Sequence, residues 1–349
     1  MATQSQKKLF IGVDIGGTKV AAGAVNATGE IVAEARGKMA ARGTAEEGLR
    51  SVTDVIDALL RNPRARRASA IGISVPGWID ASRGALIGAA NIPCWKNFPL
   101  ASEIAKRYRL RTRIGNDANV AALAEAAWGA GAGYRSVFYV TLGTGIGTGI
   151  VENGRIHEGR TGSAGEGGHT TIDFRGPVCN CGKRGCIEAF ASGNAVGKNA
   201  RQRLLEGVGA GTTGAAAESA STSKMLALAG GNIEAVTGEV VAKAASQGDK
   251  LASEVLKETA ERLGIWLGNM IELFDPDVIV VGGGAGRLMM SRVKHIRETL
   301  EAWSINPRWR EIPIVAAKYG SESAVAGAAA LWLPSGAFRP RKTGKTKTG

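Results

Sequence analysis

The sequence predicts a two-domain α/β protein, and three observations carry that expectation. The chain has 349 residues, more than one hydrophobic core comfortably organises. Strand-like apolar runs alternate with helically spaced ones along almost all of it, the pattern of mixed layers. A strand, a Gly/Thr-rich turn and a second strand occur twice, opening at Leu9 and again at Val137. This weak internal repeat suggests two halves, each built on one β-meander.

The elements follow in order. Leu9 to Val13 reads as a strand, Asp14 to Lys19 as a glycine turn, Val20 to Val25 as a second strand, with a third around Glu30 to Ala35. Thr44 caps a helix with Glu46 and Glu47 in its first turn and Leu49, Val52, Val55, Ile56 and Leu59 on one face. A buried strand, Ala68 to Val75, ends in Pro76-Gly77. A helix near Leu100 to Tyr108 and a short strand, Thr112 to Gly115, lead to Asn116-Asp117, which caps an Ala-rich helix, Val120 to Trp128.

In the second half Val137 to Leu142 is a strand, Gly143 to Gly149 a turn, and Ile150-Val151 a strand again. A loop-rich stretch, Gly159 to Gly185, precedes helices expected at Asn194 to Leu205, Ile233 to Ser246 and Leu251 to Phe274. Asp275-Pro276 stops the last of these. Gly207 to Ser223 is low in complexity and reads as a mobile surface loop. A strand at Asp277 to Val281, a helix near Leu288 to Leu300, a strand at Ile312 to Ala316 and a final helix, Ser323 to Trp332, complete the pattern. Residues 335–349 read as a disordered basic tail.

Composition narrows the function classes. No apolar run approaches the roughly 18 residues of a membrane span, and the polar start carries no secretory signal. The expectation is a cytoplasmic protein without a membrane partner. The formal charge is +13. Much of it sits in Arg339, Arg341, Lys342, Lys345 and Lys347 of the tail and in Arg61, Arg64, Arg66 and Arg67. Neither group has interleaved aromatics, so both read as solvated surface and no nucleic-acid partner is expected. The chain has 50 glycines, about twice the usual share of ~7 %, which predicts tight turns or close backbone approach to a ligand.

Four sets of residues can carry chemistry. The two Gly/Thr turns and Gly282-Gly-Gly-Ala-Gly286 are either plain turns or phosphate cradles. Glycines let backbone N–H groups approach an anion, and Asp14 opens one turn. Asp117 is either a helix cap or, at a strand end, a base for phosphoryl transfer to an alcohol. His169, Cys179, Cys181 and Cys186 supply the four N/S ligands of a closed zinc site, or else three free thiols lie in a loop. Glu166 and Glu188 flank that cluster and are either solvated loop charges or fixed acceptors for sugar hydroxyls.

The segments Asp14-Ile-Gly-Gly-Thr-Lys19, Gly115-Asn-Asp-Ala-Asn119, Leu142-Gly-Thr-Gly-Ile-Gly147, Glu166-Gly-Gly-His169 and Cys179-Asn-Cys-Gly-Lys-Arg-Gly-Cys-Ile-Glu188 together resemble the ROK family of bacterial sugar kinases and repressors, and most of all its glucokinases. The resemblance runs from about Leu9 to Leu333. It implies an actin-like, ribonuclease H-like fold with the active site in an interdomain cleft. The small domain would be residues 1–117 completed by a C-terminal helix at about 321–334, and the large domain 118–320 with the zinc loop. By the same resemblance Asp117 is the general base in ATP-dependent phosphorylation of a hexose, glucose by default, at its 6-hydroxyl. Gly77, Asn91, Asn116, Glu166, His169 and Glu188 hold the sugar. Asp14, Gly16, Gly17, Thr18 and Lys19 face Mg2+ and phosphate, Gly143, Thr144 and Gly145 line the phosphates, and Gly283 and Gly284 adjoin the nucleoside. Structural Zn2+ and a homodimer or homotetramer are implied as well. N-acetylglucosamine, N-acetylmannosamine, mannose, fructose or allose as acceptor, and polyphosphate as donor, stay open. A sugar-responsive repressor is the rival, weakened because eight residues before the first strand leave no room for a DNA-binding domain.

Overall fold

The structure is a computed structural model and describes residues 8–208, 222–334 and 337–338. Most of the expected tail and most of the Gly207 to Ser223 loop lie outside the described residues. Two compact units are present. One comprises the chain up to Tyr139, Thr148–Gly165 and the chain from Ala317; the other comprises Val140–Gly147 and Glu166–Ala316.

The first unit opens with β1 (Leu9–Ile15), β2 (Lys19–Asn26) and β3 (Ile31–Lys38), then α1 (Ala45–Leu60) and β4 (Ala70–Val75). The short strands β5 (Trp78–Asp80), β6 (Ala85–Gly88) and β7 (Lys96–Phe98) form a separate three-stranded sheet. Then come α2 (Leu100–Tyr108), β8 (Arg111–Asn116) and α3 (Asp117–Trp128). The main sheet has the order β3-β2-β1-β4-β8. The first three strands are antiparallel, whereas β1, β4 and β8 run parallel. Their carboxyl ends therefore converge, and Asp14, Val75 and Asn116 emerge on one edge of the sheet.

Local chemistry explains these elements. Thr44 accepts from the Glu47 N–H while the Glu47 carboxylate accepts from the Thr44 N–H, a complete capping box for α1. Helix α1 then buries Val52, Val55, Ile56 and Leu59 in a core shared with Ile11, Val13, Ile71 and Ile73 of the sheet. On β1 and β4, Gly12 and Gly72 are cross-strand partners. A side chain at either would overlap the main chain of α11 (Ser323–Ala330), at Val325 and Ala328 respectively. Glycine here lets a helix backbone lie directly on the sheet. A side chain at Gly327 of α11 would likewise overlap the Val120 carbonyl of α3.

Strands β9 (Ser136–Leu142), β10 (Ile146–Glu152), β11 (Arg155–Ile156), β12 (Val278–Gly282) and β13 (Ile314–Ala316) form a sheet of order β11-β10-β9-β12-β13. The division of the chain passes through β9 and β10. The second unit adds α4 (Glu188–Ala191), α5 (Gly193–Val208), α6 (Lys224–Leu228), α7 (Gly238–Ser246), α8 (Lys250–Phe274), α9 (Gly284–Met290) and α10 (Val293–Trp303). Among the described residues no helix is long and apolar enough to cross a membrane.

Several elements differ from expectation. The helix expected over Ile233 to Ser246 is a short 3-10 turn, Ile233–Ala235, followed by α7, because Thr237 caps α7 by accepting from the Val240 N–H. The helix expected near Leu288 to Leu300 begins earlier, at Gly284, and is interrupted between Met290 and Val293, where the Ser291 hydroxyl bonds back to the Leu288 carbonyl. The division also places α3 in the first unit, where it packs on α11, rather than parting the chain at 117/118.

Candidate active site and metal centre

In the first unit the predicted residues gather at the carboxyl ends of β1, β4 and β8. Asp14 is largely buried, and Ser74 donates its hydroxyl proton to Asp14 Oδ1 at 3.1 Å. Burial pushes the Asp14 carboxyl up to about 6, opposed by the Ser74 bond and reinforced by the nearby charge of Asp117. The Asp117 carboxyl is also raised. The protein around it crowds out water, and the Ala118 N–H, bonded to its Oδ1 at 2.8 Å, only partly offsets this. Asp117 nevertheless remains exposed at the surface.

Asn116 performs the capping for α3. Its Oδ1 accepts from the N–H groups of Ala118 and Asn119 at 3.0 and 3.4 Å, and its Nδ2 donates to the Gly77 carbonyl at 3.1 Å. Asp117 is thus relieved of the main capping duty. Gly77 has φ +92, and a side chain there would overlap the Gly88 carbonyl. The turn Gly16–Thr18 links β1 and β2, closed by Gly16 N–H to the Lys19 carbonyl at 2.9 Å. A side chain at Gly17 would meet the Asn91 carbonyl at 2.7 Å, so Asn91 lies beside this turn. Thr18 and Lys19 are exposed.

In the second unit His169 and Glu188 adjoin the cysteines, and Glu166 precedes the turn that carries His169, its carbonyl accepting from the His169 N–H at 3.0 Å. The 3-10 turn Gly167–His169 is fastened by the buried Trp266 of α8, whose indole N–H donates to the Gly167 carbonyl at 3.1 Å and to Thr170 Oγ1 at 2.9 Å. The loop closes on itself through Cys179 N–H to the Lys183 carbonyl at 2.7 Å and Gly182 N–H to the Cys179 carbonyl at 2.9 Å. Gly182 and Gly185 take φ +86 and +72. Glu188 Oε2 accepts from the Ile146 N–H at 2.9 Å.

The donor set fits a tetrahedral zinc ion. One ligand atom from each of His169, Cys179, Cys181 and Cys186 lies within 4.8 Å of all the others. The Cys179 Sγ to His169 Nδ1 distance is 3.6 Å and the Cys181 to Cys186 Sγ distance 3.7 Å. A tetrahedron with Zn–S of ~2.3 Å has edges of about 3.8 Å. All four cysteines of the chain are free thiols; Cys94 stands apart, against Gly48 and in the first unit.

A cavity of about 540 Å³ opens in the second unit, lined among others by Gly143, Thr144, Gly193, Asn194, Thr237 and Gly284. The amino ends of α5, α7 and α9 border it. Gly283, with φ +85, is the cap residue of α9, and a side chain there would overlap the Leu142 backbone.

The ROK family model matches residues 10–335. The chain belongs to the ROK family. Among ROK proteins, the glucokinase of Streptomyces coelicolor is 35% identical over 93% of this chain and 97% of that protein. The glucokinase of Thermotoga maritima is 32% identical over the same shares. The solved structure of a ROK glucokinase from Streptomyces griseus, in complex with glucose and AMPPNP, superposes with a TM-score of 0.75 at 34% identity, covering 93% of this chain and 98% of that one. The fold is accordingly the actin-like fold of the ROK sugar kinases.

Reading the ROK motifs alone leaves out three supporting residues. Ser74 orients Asp14; a polar residue within the apolar run Ala70–Val75 was its signal. Trp266 fastens the His169 turn without any local motif. Glu125, within α3, is fully buried and accepts the N–H groups of Ala130, Lys318 and Tyr319 at 2.7, 3.1 and 2.7 Å. It ties α3 to the segment preceding α11.

Proposed function

We propose that this ROK protein is a cytoplasmic ATP-dependent glucokinase that transfers the γ-phosphoryl group of MgATP to the 6-hydroxyl of glucose. The observation that carries the reading is Asp117, an exposed carboxylate whose pKa is raised above the ordinary carboxylate range at the junction of β8 and α3, in a chain 35% identical to a glucokinase.

In this reading Asp117 takes the proton of the sugar hydroxyl as it attacks phosphorus. The raised pKa makes it a stronger base than a solvated aspartate. Asn116, tied to Gly77, fixes the backbone from which Asp117 projects. Asn116, Glu166, His169 and Glu188 accept and donate to the other sugar hydroxyls, with Gly77 and Asn91 beside them. Asp14 and the turn Gly16 to Lys19 receive Mg2+ and phosphate, so two carboxylates that repel each other in the free protein gain a cation when MgATP binds. Gly143, Thr144 and Gly145 present N–H groups to the phosphates, and Gly284, which lines the 540 Å³ cavity, borders the nucleoside together with its neighbour Gly283. Zinc, held by His169, Cys179, Cys181 and Cys186, supplies a structural cross-link: with four protein ligands it has no open position for substrate. Aligning the hydroxyl, Asp117 and the phosphoryl group supplies most of the catalysis, because phosphoryl transfer needs little covalent help.

The test is a coupled assay crossing glucose, mannose, fructose, allose, N-acetylglucosamine and N-acetylmannosamine with ATP and polyphosphate. Glucose with ATP is expected to give the highest kcat/KM. A clear preference for another sugar or for polyphosphate would reassign the substrate, and no turnover with any pair would reject the kinase reading.

A further inference from the structure

Glu188 opens α4 two residues after the last cysteine, and its two oxygens face different neighbours. Oε1 lies 3.5 Å from Cys179 Sγ. Oε2 accepts from the Ile146 N–H at 2.9 Å. Ile146 is the first residue of β10 and directly follows the turn Gly143–Gly145. A side chain at Gly145 would overlap Glu188 Oε2, so the turn and the carboxylate share one contact surface.

The same stretch of chain also holds the other end of the turn. The Gly193 N–H donates to the Gly143 carbonyl at 2.8 Å. Across the turn itself, Gly143 N–H reaches the Gly145 carbonyl at 2.9 Å. Gly143 and Thr144 then line the cavity. A Gly-Thr-Gly turn has wide conformational freedom of its own. Here the segment Glu188–Gly193, which leaves the metal loop, grips it at both ends.

We infer that Glu188 is a positioning residue for the nucleotide-binding turn as well as a holder of the sugar. This rests on the kinase reading above. The carboxylate fixes the direction of the N–H groups that meet phosphate, and the folded cysteine loop fixes the carboxylate. Order in the cysteine loop therefore passes to the phosphate turn through one side chain, all within a single unit of the fold.

The experiment measures Mg–AMPPNP binding by calorimetry on the full, zinc-loaded chain with no sugar present, alongside glucose binding. Glu188→Ala removes the acceptor and is expected to weaken nucleotide binding about tenfold, the scale of a lost charged hydrogen bond. Glu188→Gln keeps an oxygen for the Ile146 N–H and is expected to bind nucleotide within about twofold of the parent. Both variants lose glucose affinity. A sugar-only role predicts parental nucleotide affinity in Glu188→Ala, and that result overturns the inference; so does an equal nucleotide loss in Glu188→Gln. Gly145→Ala gives the reciprocal arm if Glu188→Ala does not fold. Its methyl group displaces Oε2, so glucose affinity should fall although the substitution lies in the phosphate turn. Unchanged glucose affinity there also overturns the proposal. If the parent protein binds no nucleotide at all, the kinase reading itself has failed instead.

Discussion

Asp14→Asn is expected to stabilise the ligand-free protein while abolishing its activity. The amide matches the carboxylate in shape and still accepts the Ser74 hydroxyl. It removes a charge that the fold buries at a cost. Burial lifts the Asp14 carboxyl from 3.8 to about 6. The folded state thus holds this proton more tightly than the unfolded chain. The stability so contributed is complete below pH 3.8 and lost as pH rises through about 6. At about 1.36 kcal/mol per pH unit, the full rise amounts to about 3 kcal/mol. Linkage then gives a gain for Asp14→Asn of about 3 kcal/mol near pH 7.5 and about 1 kcal/mol near pH 4.5. Urea unfolding of both proteins at the two pH values, without nucleotide or Mg2+, measures it. Equal or lower stability of the variant near pH 7.5 would refute the reasoning, as would a gain that does not shrink toward pH 4.5.

Three further outcomes are expected. Asp117→Asn should keep glucose binding by calorimetry but lose at least about 100-fold in kcat, the low end for removing a general base; near-normal turnover would reject Asp117 as the base. Elemental analysis should find about one zinc per chain, and Cys186→Ser should lose the metal and lower the melting temperature. Full activity in a metal-free protein would reject the site. Gly327→Ala drives a methyl group into the Val120 carbonyl of α3, a backbone atom that cannot rotate away. It should destabilise by about 1–3 kcal/mol in chemical denaturation, whereas Gly320→Ala, with open space around it, should be nearly neutral.

Much of the fold is legible in the sequence because short-range rules decide it. The Thr44 capping box, the helical face of α1, the boundaries of α2 and the strand ending at Val75 all follow from local spacing. The motif residues of the site also sit where strand ends and turns were read. Other features escaped because no local signal encodes them. Strands β5 to β7 are three or four residues long, too short for alternation to register. The Ile233 to Ser246 pattern is apolar at helical spacing, yet the Thr237 cap divides it. Gly12 and Gly72 read as ordinary strand glycines until α11 is seen lying across them. Glu188 reads as a sugar ligand, and its bond to Ile146 joins positions 42 apart in the chain.

The seat of α11 bears on how the molecule comes into being. The Trp332 indole N–H donates to the Ile71 carbonyl, 261 positions earlier, and Arg113 reaches the Leu331 carbonyl over 218. The strands carrying Asp14 and Asn116 leave the ribosome first, but the helix that covers them is made after the whole second unit. Until then the glycine-floored face of β1 and β4 and the alanine face of α3 stay open, a nascent surface of the kind chaperones shelter. Contacts this distant in sequence also close slowly. A chain halted before Ser323 contains every motif residue yet lacks the helix that backs α3, so the helix that Asp117 opens gains its packing only after α11 has been made.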